Sequence, residues 1–349
     1  MSLFFVTYAL YLLIGVISSS HPHESLSVYL RFIVSLAMYP VGYSLFQDAK
    51  LFRKLQTCAF FSLFMILAQF AAAQILRVGR CPYVESTIFL GGSNVQITYL
   101  VSYCAIFLMF ASERESRLNT IAYWTVIVLG GIMVLLVYRR GAIVAFAFGV
   151  LLAIIHRRDK LSHLCVLLLV TVGLSAIIFS VFEEQIGLVR EKRSRYSMGE
   201  QGRVLEFATI AKEIEAKGWR QLLLGTELFN SENYFAGAAD RAPADWLARQ
   251  TNLHTDWGTL LHGAGLFGLL GLVIAYVMPL YHMRVITKKP VCGDVRRLRN
   301  LRVLLMSLLG AGLIISLSGQ YYIMSSLGTW MLLMGASNAQ LRALKAKAP

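Results

Sequence analysis

Uncharged apolar runs about as long as a bilayer crossing recur along the chain, separated by short basic segments. Roughly ten of them read as membrane spans: 2–19, 26–46, 55–76, 88–110, 119–138, 141–155, 162–182, 258–281, 301–319 and 323–340. Residues 119–155 are apolar except for Arg139 and Arg140. One helix of that length would reach roughly 55 Å, well beyond a hydrocarbon core of about 30 Å. Arg139-Arg140-Gly141 is therefore predicted to turn the chain between two helices, the second of them short. The pattern predicts an all-α polytopic membrane protein, a single transmembrane domain over 1–349.

Basic residues set the expected orientation. With the N-terminus inside, the cytoplasmic segments hold Lys50, Arg53 and Lys54, then Arg114 and Arg117, then Arg157, Arg158 and Lys160. The very basic 282–302 segment follows, and Arg342, Lys345 and Lys347 close the chain on the same side. Residues 183–257 become one external loop inserted between the seventh and eighth spans. Inside it, Val204, Leu205, Phe207, Ile210, Ala211 and Ile214 recur at helical spacing, opposite Lys212, Glu213, Glu215 and Lys217. An amphipathic helix over 203–217 is predicted, lying on the membrane surface or covering the spans, with Gly218 as its stop.

Composition agrees with the pattern. Of 349 residues, 57% are apolar and only 15% charged, below the usual quarter of soluble domains. The net charge of +14 follows from Lys and Arg in cytoplasmic loops; no nucleic-acid-binding motif accompanies it. Met1 to Ser20 has an apolar core with no Lys or Arg before it, so it reads as a first span and not as a signal peptide. Cys58, Cys104 and Cys165 fall in spans and Cys292 in a cytoplasmic segment. Only Cys81 faces the oxidising side, so no disulfide framework is expected.

Three external segments hold residues suited to chemistry. Arg139 and Arg140 stand where arginine must snorkel, pair or bind an anion, and a snorkelling pair that ends a helix is one full account of them. Residues 190–203 carry five basic and two acidic side chains, Arg195 and Arg203 among them. Guanidinium groups bind phosphate in bidentate fashion, and Gly202 beside Arg203 would admit backbone donors; a loop resting on anionic headgroups fits equally. Asn252-Leu253-His254-Thr255-Asp256-Trp257 precedes the eighth span, with His254 able to act as a general base and Asp256 able to orient it or replace it. His262 reads as a packed interior residue. His21, His23 and Glu24 make too weak a cluster for a metal, and no metal or cofactor is expected.

In this order the three segments resemble the O-antigen polymerase and O-antigen ligase superfamily of bacterial inner-membrane glycosyltransferases. The matching elements are Arg140-Gly141 at an external hairpin, then Gly202-Arg203 opening the amphipathic helix. The Gly225 region and His254 follow, leading into Leu260-Leu261 and Gly265-Leu266-Phe267-Gly268. The resemblance covers roughly 119–280. It departs at Thr255, where the family commonly has Asn, and at Arg139, where it commonly has Ser. The resemblance implies a fold of the GT-C kind and an inverting, metal-independent glycosyl transfer at the periplasmic face of the inner membrane. The donor it implies is a glycan on undecaprenyl diphosphate. Arg139, Arg140, Arg195 and Arg203 would hold the diphosphate, His254 would activate the acceptor hydroxyl, and Arg140, Arg203 and His254 would be catalytic. Partners would be lipid-linked glycans, membrane lipids and a chain-length regulator protein. Polymerase is the preferred expectation and ligase the alternative. A transporter of lipid-linked oligosaccharides is a further one, although the spans hold almost no charge besides Arg31.

Overall fold

A computed structural model describes residues 2–19, 22–76, 95–111, 117–137, 140–156, 210–212, 218–225, 256–287, 295–318 and 326–346, with isolated positions 172, 173, 176, 180, 183 and 215. Every regular element among them is helical. The helices are α1 (Ser2–Ile17), α2 (Pro22–Leu45), α3 (Ala49–Ile75), α4 (Val95–Ala111) and α5 (Arg117–Leu136). They continue with α6 (Arg140–His156), α7 (Trp219–Leu224), α8 (Asp256–Thr287), α9 (Val295–Ser318) and α10 (Ser326–Ala346).

Four of these hold stretches long and apolar enough to cross a membrane: Ser25–Leu45, Ala49–Ala73, Asp256–Val285 and Val295–Leu317. Shorter apolar helices run over Phe4–Ile17, Ile97–Phe110, Thr120–Leu136 and Gly141–His156. Large apolar side chains stay exposed in stripes: Val6, Leu10, Ile14 and Ile17 on α1, and Leu26, Leu30, Val34, Val41 and Leu45 on α2. Stripes this extensive are unfavourable in water and natural against lipid, and helices are the open-ended element that satisfies its own backbone there. The chain is a helical, multi-pass membrane protein. The predicted break between the fifth and sixth spans is present: α5 stops at Leu136, the Val137 amide bonds to the Met133 carbonyl at 2.9 Å, and α6 starts at Arg140. The seventh predicted span, 162–182, lies almost wholly outside the described residues.

The chain divides into two compact units. Unit 2 comprises Met38–Arg195, Pro279–Ile315 and Thr329–Pro349. Its centre is α4, buried from Thr98 to Phe110 apart from half-buried Leu100 and packed by α3, α5 and α6. Phe107 meets Phe52 edge-on at 5.6 Å, and Gly149 lets α6 approach Ile106. In the same unit α10 approaches α2 closely: a side chain at Gly335 would strike the Tyr39 carbonyl. The second half of α10 carries buried Ser337, Asn338 and Gln340, and α10 is not among the four long apolar helices. Those polar groups find partners inside. Asn338 Nδ2 donates to Tyr39 Oη at 3.0 Å and to the Pro279 carbonyl at 3.2 Å, and Gln340 Nε2 donates to the Phe46 carbonyl at 2.7 Å. Tyr39 Oη also lies 2.9 Å from His282 Nδ1, so the phenol hydroxyl joins Asn338 to the imidazole.

Candidate functional site

Unit 1 comprises Met1–Ala37, Tyr196–Met278 and Ser316–Gly328, and holds residues 210–225 of the loop predicted over 183–257, so far as they are described. Residues 210–212 are helical, with Ile210 buried and Lys212 exposed as the amphipathic pattern predicts; Ala211, placed on the apolar face, is exposed. Gly218 leaves helical geometry at φ 88°, the expected stop. Then α7 runs to Leu224, and its last turn is closed by Gly225, whose amide bonds to the Gln221 carbonyl at 2.8 Å.

The eighth span departs from expectation. Residues 258–281 read as one straight crossing, but Gly265 sits at φ 61°, ψ −161°, and α8 is two helical arms joined there. The arms fold against each other. A side chain on Gly268 would meet the Leu260 carbonyl at 3.2 Å and strike Ala264, although eight residues of straight helix would separate Leu260 from Gly268 by roughly 12 Å. Further out, Trp257 Nε1 donates to Ser316 Oγ at 2.9 Å, and Ser316 shares a hydrogen bond with Tyr276. Trp257 and Tyr276, which meet through Ser316, would lie roughly 28 Å apart on a straight helix. The first arm, 256–264, is about 13 Å long and too short to cross; the second, 266–287, is about 33 Å and long enough alone.

The reversal is built from residues far apart in sequence. Gly225 (φ 79°) seats directly on Gly263 and Ala264, and Gly265 on the Leu223 carbonyl, with no room for a Cβ on either glycine. Breaking a helix leaves carbonyls of its last turn without amide partners. Tyr11 answers this from α1: Oη donates to the Ala264 carbonyl at 2.7 Å and stands 3.4 Å from the Leu224 carbonyl. Tyr8 Oη donates to the Gly268 carbonyl at 2.8 Å, and Phe267 meets the Tyr11 ring edge-on at 6.1 Å. Thus the Gly225 segment and Gly265-Leu266-Phe267-Gly268, separate in the sequence, form one contact.

Among the residues singled out from the sequence, Arg140 opens α6 at the predicted helix hairpin. Arg139, Arg195, Arg203 and His254 lie outside the described residues. Asp256 opens α8 and is only 2% exposed, with Thr259 and His262 also buried, so His262 is the interior residue it was read to be. The sequence reading missed Tyr8, Tyr11, Tyr276 and Ser316. Each stands in an apolar run where an isolated hydroxyl gives no signal of its partner. Among the described residues no group of His, Cys, Asp and Glu could hold a metal ion. No protein-family model matches the chain, and no curated protein does.

Proposed function

We propose that the chain polymerises undecaprenyl-diphosphate-linked oligosaccharide repeat units at the periplasmic face of the bacterial inner membrane, as a metal-independent inverting glycosyltransferase. Transfer breaks the bond between the anomeric carbon and the diphosphate, so charge grows on the leaving group and must be stabilised there. Arg139, Arg140, Arg195 and Arg203 supply fixed positive charge for it, and the segment His254–Asp256 supplies the base for the acceptor hydroxyl. The observation that carries the reading is the order of Arg140-Gly141, Gly202-Arg203, Gly225, His254 and Gly265–Gly268 along the chain. The packing of Gly225 on Gly263 and Ala264 supports it, since two segments of that order meet.

Transport is the competing reading that a structural feature favours, because discontinuous helices frame the sites of secondary transporters. Those breaks come in corresponding pairs, and among the described residues α8 alone contains one.

Deletion of the gene in a host that completes its lipopolysaccharide core tests the reading. A polymerase defect leaves core bearing one repeat unit, seen as a single band above core. Bare core with polymer accumulated on undecaprenyl diphosphate would make the protein a ligase. Purified protein should lengthen lipid-linked repeat units in excess EDTA, and Arg140→Ala, Arg203→Lys and His254→Ala should each lower that activity strongly while inserting normally. Unchanged activity of all three would remove the proposed site.

A further inference from the structure

The first two turns of α9 place arginine on the outward side of a membrane helix. The helix opens Val-Arg-Arg-Leu-Arg-Asn-Leu-Arg over 295–302 and carries no charge from there to Ser318. Leu298, Leu301, Leu305 and Leu308 are buried and mark its inner face. Val295, Arg299, Arg302 and Met306 recur at intervals of four, three and four, which is one stripe of a helix. Val295 and Met306 are exposed apolar side chains, Arg299 is exposed and Arg302 is half-buried. The two arginines therefore stand on the face that meets lipid. Their depth follows from the same helix. The uncharged residues 303–318 reach about 24 Å, less than a hydrocarbon core of about 30 Å. Arg302 thus stands at the edge of the hydrocarbon, with Arg299 about one turn further out.

The arginines of this segment differ in what holds them. Arg297 is tied inward: Nη2 donates to Gln340 Oε1 at 3.4 Å, and Gln340 Nε2 donates in turn to the Phe46 carbonyl at 2.7 Å. Arg299 and Arg302 have no hydrogen bond or ion pair among the described residues, and Arg302 Nε is buried without an acceptor. Retention of positive charge on the cytoplasmic side accounts for the number of arginines here. It does not account for a guanidinium at the lipid edge whose buried Nε is unmatched, or for a second one a turn away, since like charges at that spacing repel. A phosphate between them answers both features, accepting from the guanidinium fork and supplying the opposite charge. We propose that Arg299 and Arg302 bind the phosphate headgroup of an anionic phospholipid in the leaflet at the α9 start, the cytoplasmic one in the orientation read from the sequence. Basic side chains at the cytoplasmic ends of membrane helices bind such headgroups, and the stripe faces lipid, which makes a lipid the source of the phosphate. The site lies on the opposite leaflet from the proposed transfer reaction and stands independently of it.

Full-length protein, delipidated in dodecyl maltoside micelles, tests the site with cardiolipin and phosphatidylglycerol as anionic probes and phosphatidylethanolamine as the zwitterionic one. Native mass spectrometry should show both anionic lipids bound at concentrations where phosphatidylethanolamine is not, and the same two lipids should raise the thermal unfolding midpoint. Arg302→Gln should weaken cardiolipin binding about fivefold, and Arg299→Gln combined with it about thirtyfold, as expected for basic groups at a membrane surface. Lys54→Gln removes an exposed charge near the start of α3 and should change binding less than about twofold. Equal losses from Lys54→Gln and Arg302→Gln, or equal binding of phosphatidylethanolamine, would overturn the assignment. If the double variant does not fold, the ranking of lipids on the wild-type protein decides alone. Cardiolipin that stays bound in excess inorganic phosphate supports a lipid site, whereas its displacement would make this a site for free phosphate. A dimer without bound lipid, dissociated by the same substitutions, would assign the stripe to a second copy of the chain and overturn the lipid reading.

Discussion

Gly218 and Gly225 provide a controlled comparison between backbone strain and steric crowding. Their backbones are nearly the same, φ 88°, ψ −179° and φ 79°, ψ −175°. This region is essentially restricted to glycine, so alanine at either position should cost about 1–3 kcal/mol in strain. Their surroundings differ completely. A Cβ at Gly218 meets nothing within 4 Å, while one at Gly225 strikes the backbone of Gly263 and Ala264. Forcing a methyl group into filled space adds about 1–3 kcal/mol, and backbone yields less readily than a flexible side chain. Gly225→Ala should therefore be less stable than Gly218→Ala by about 1–3 kcal/mol, where 1.4 kcal/mol is tenfold in the unfolding constant. Gly265→Ala should match Gly225→Ala, and because both act on one contact the double variant should lose less than the sum. Reversible unfolding of the purified protein in mixed micelles, followed by tryptophan fluorescence, measures all four variants. Equal destabilisation by Gly218→Ala and Gly225→Ala would refute the close seating of α7 on the reversal.

Two further outcomes follow from the same geometry and from sidedness. Tyr11→Phe removes the donor to the Ala264 carbonyl and leaves that group without it in an apolar setting. A loss of about 1–3 kcal/mol is expected in the same unfolding assay, and a loss under about 0.5 kcal/mol would show that the hydroxyl does not hold the break. Single cysteines at positions 199 and 237, in a background lacking the native cysteines, should react with a membrane-impermeant maleimide in intact spheroplasts. Labelling only after lysis would invert the orientation and with it the proposed site.

The positions of the described apolar helices were legible because their cause is local. In lipid a chain must satisfy its own backbone, so an apolar run of sufficient length becomes a helix wherever it sits. A break between the fifth and sixth helices was legible for the same reason, since a single helix over 119–155 would outrun the bilayer; α6 already includes Arg140 and Gly141, which the sequence placed in the turn. The reversal at Gly265 was not. Residues 258–281 contain no charge, and a straight crossing and a half-helix followed by a crossing share one composition. Glycines at 263, 265 and 268 leave room for another backbone, but nothing local says which backbone comes. Contacts from Gly225 and from Tyr8 and Tyr11 on α1 decided it, each distant in sequence. In unit 2, likewise, Asn338 and Gln340 look foreign to an apolar helix until Tyr39, Pro279 and Phe46 supply their partners. The arginine and histidine motifs are read from the sequence because charge type and order alone define them. The burial of Asp256 belongs to tertiary structure, because a carboxylate's setting depends on which distant groups the fold places around it.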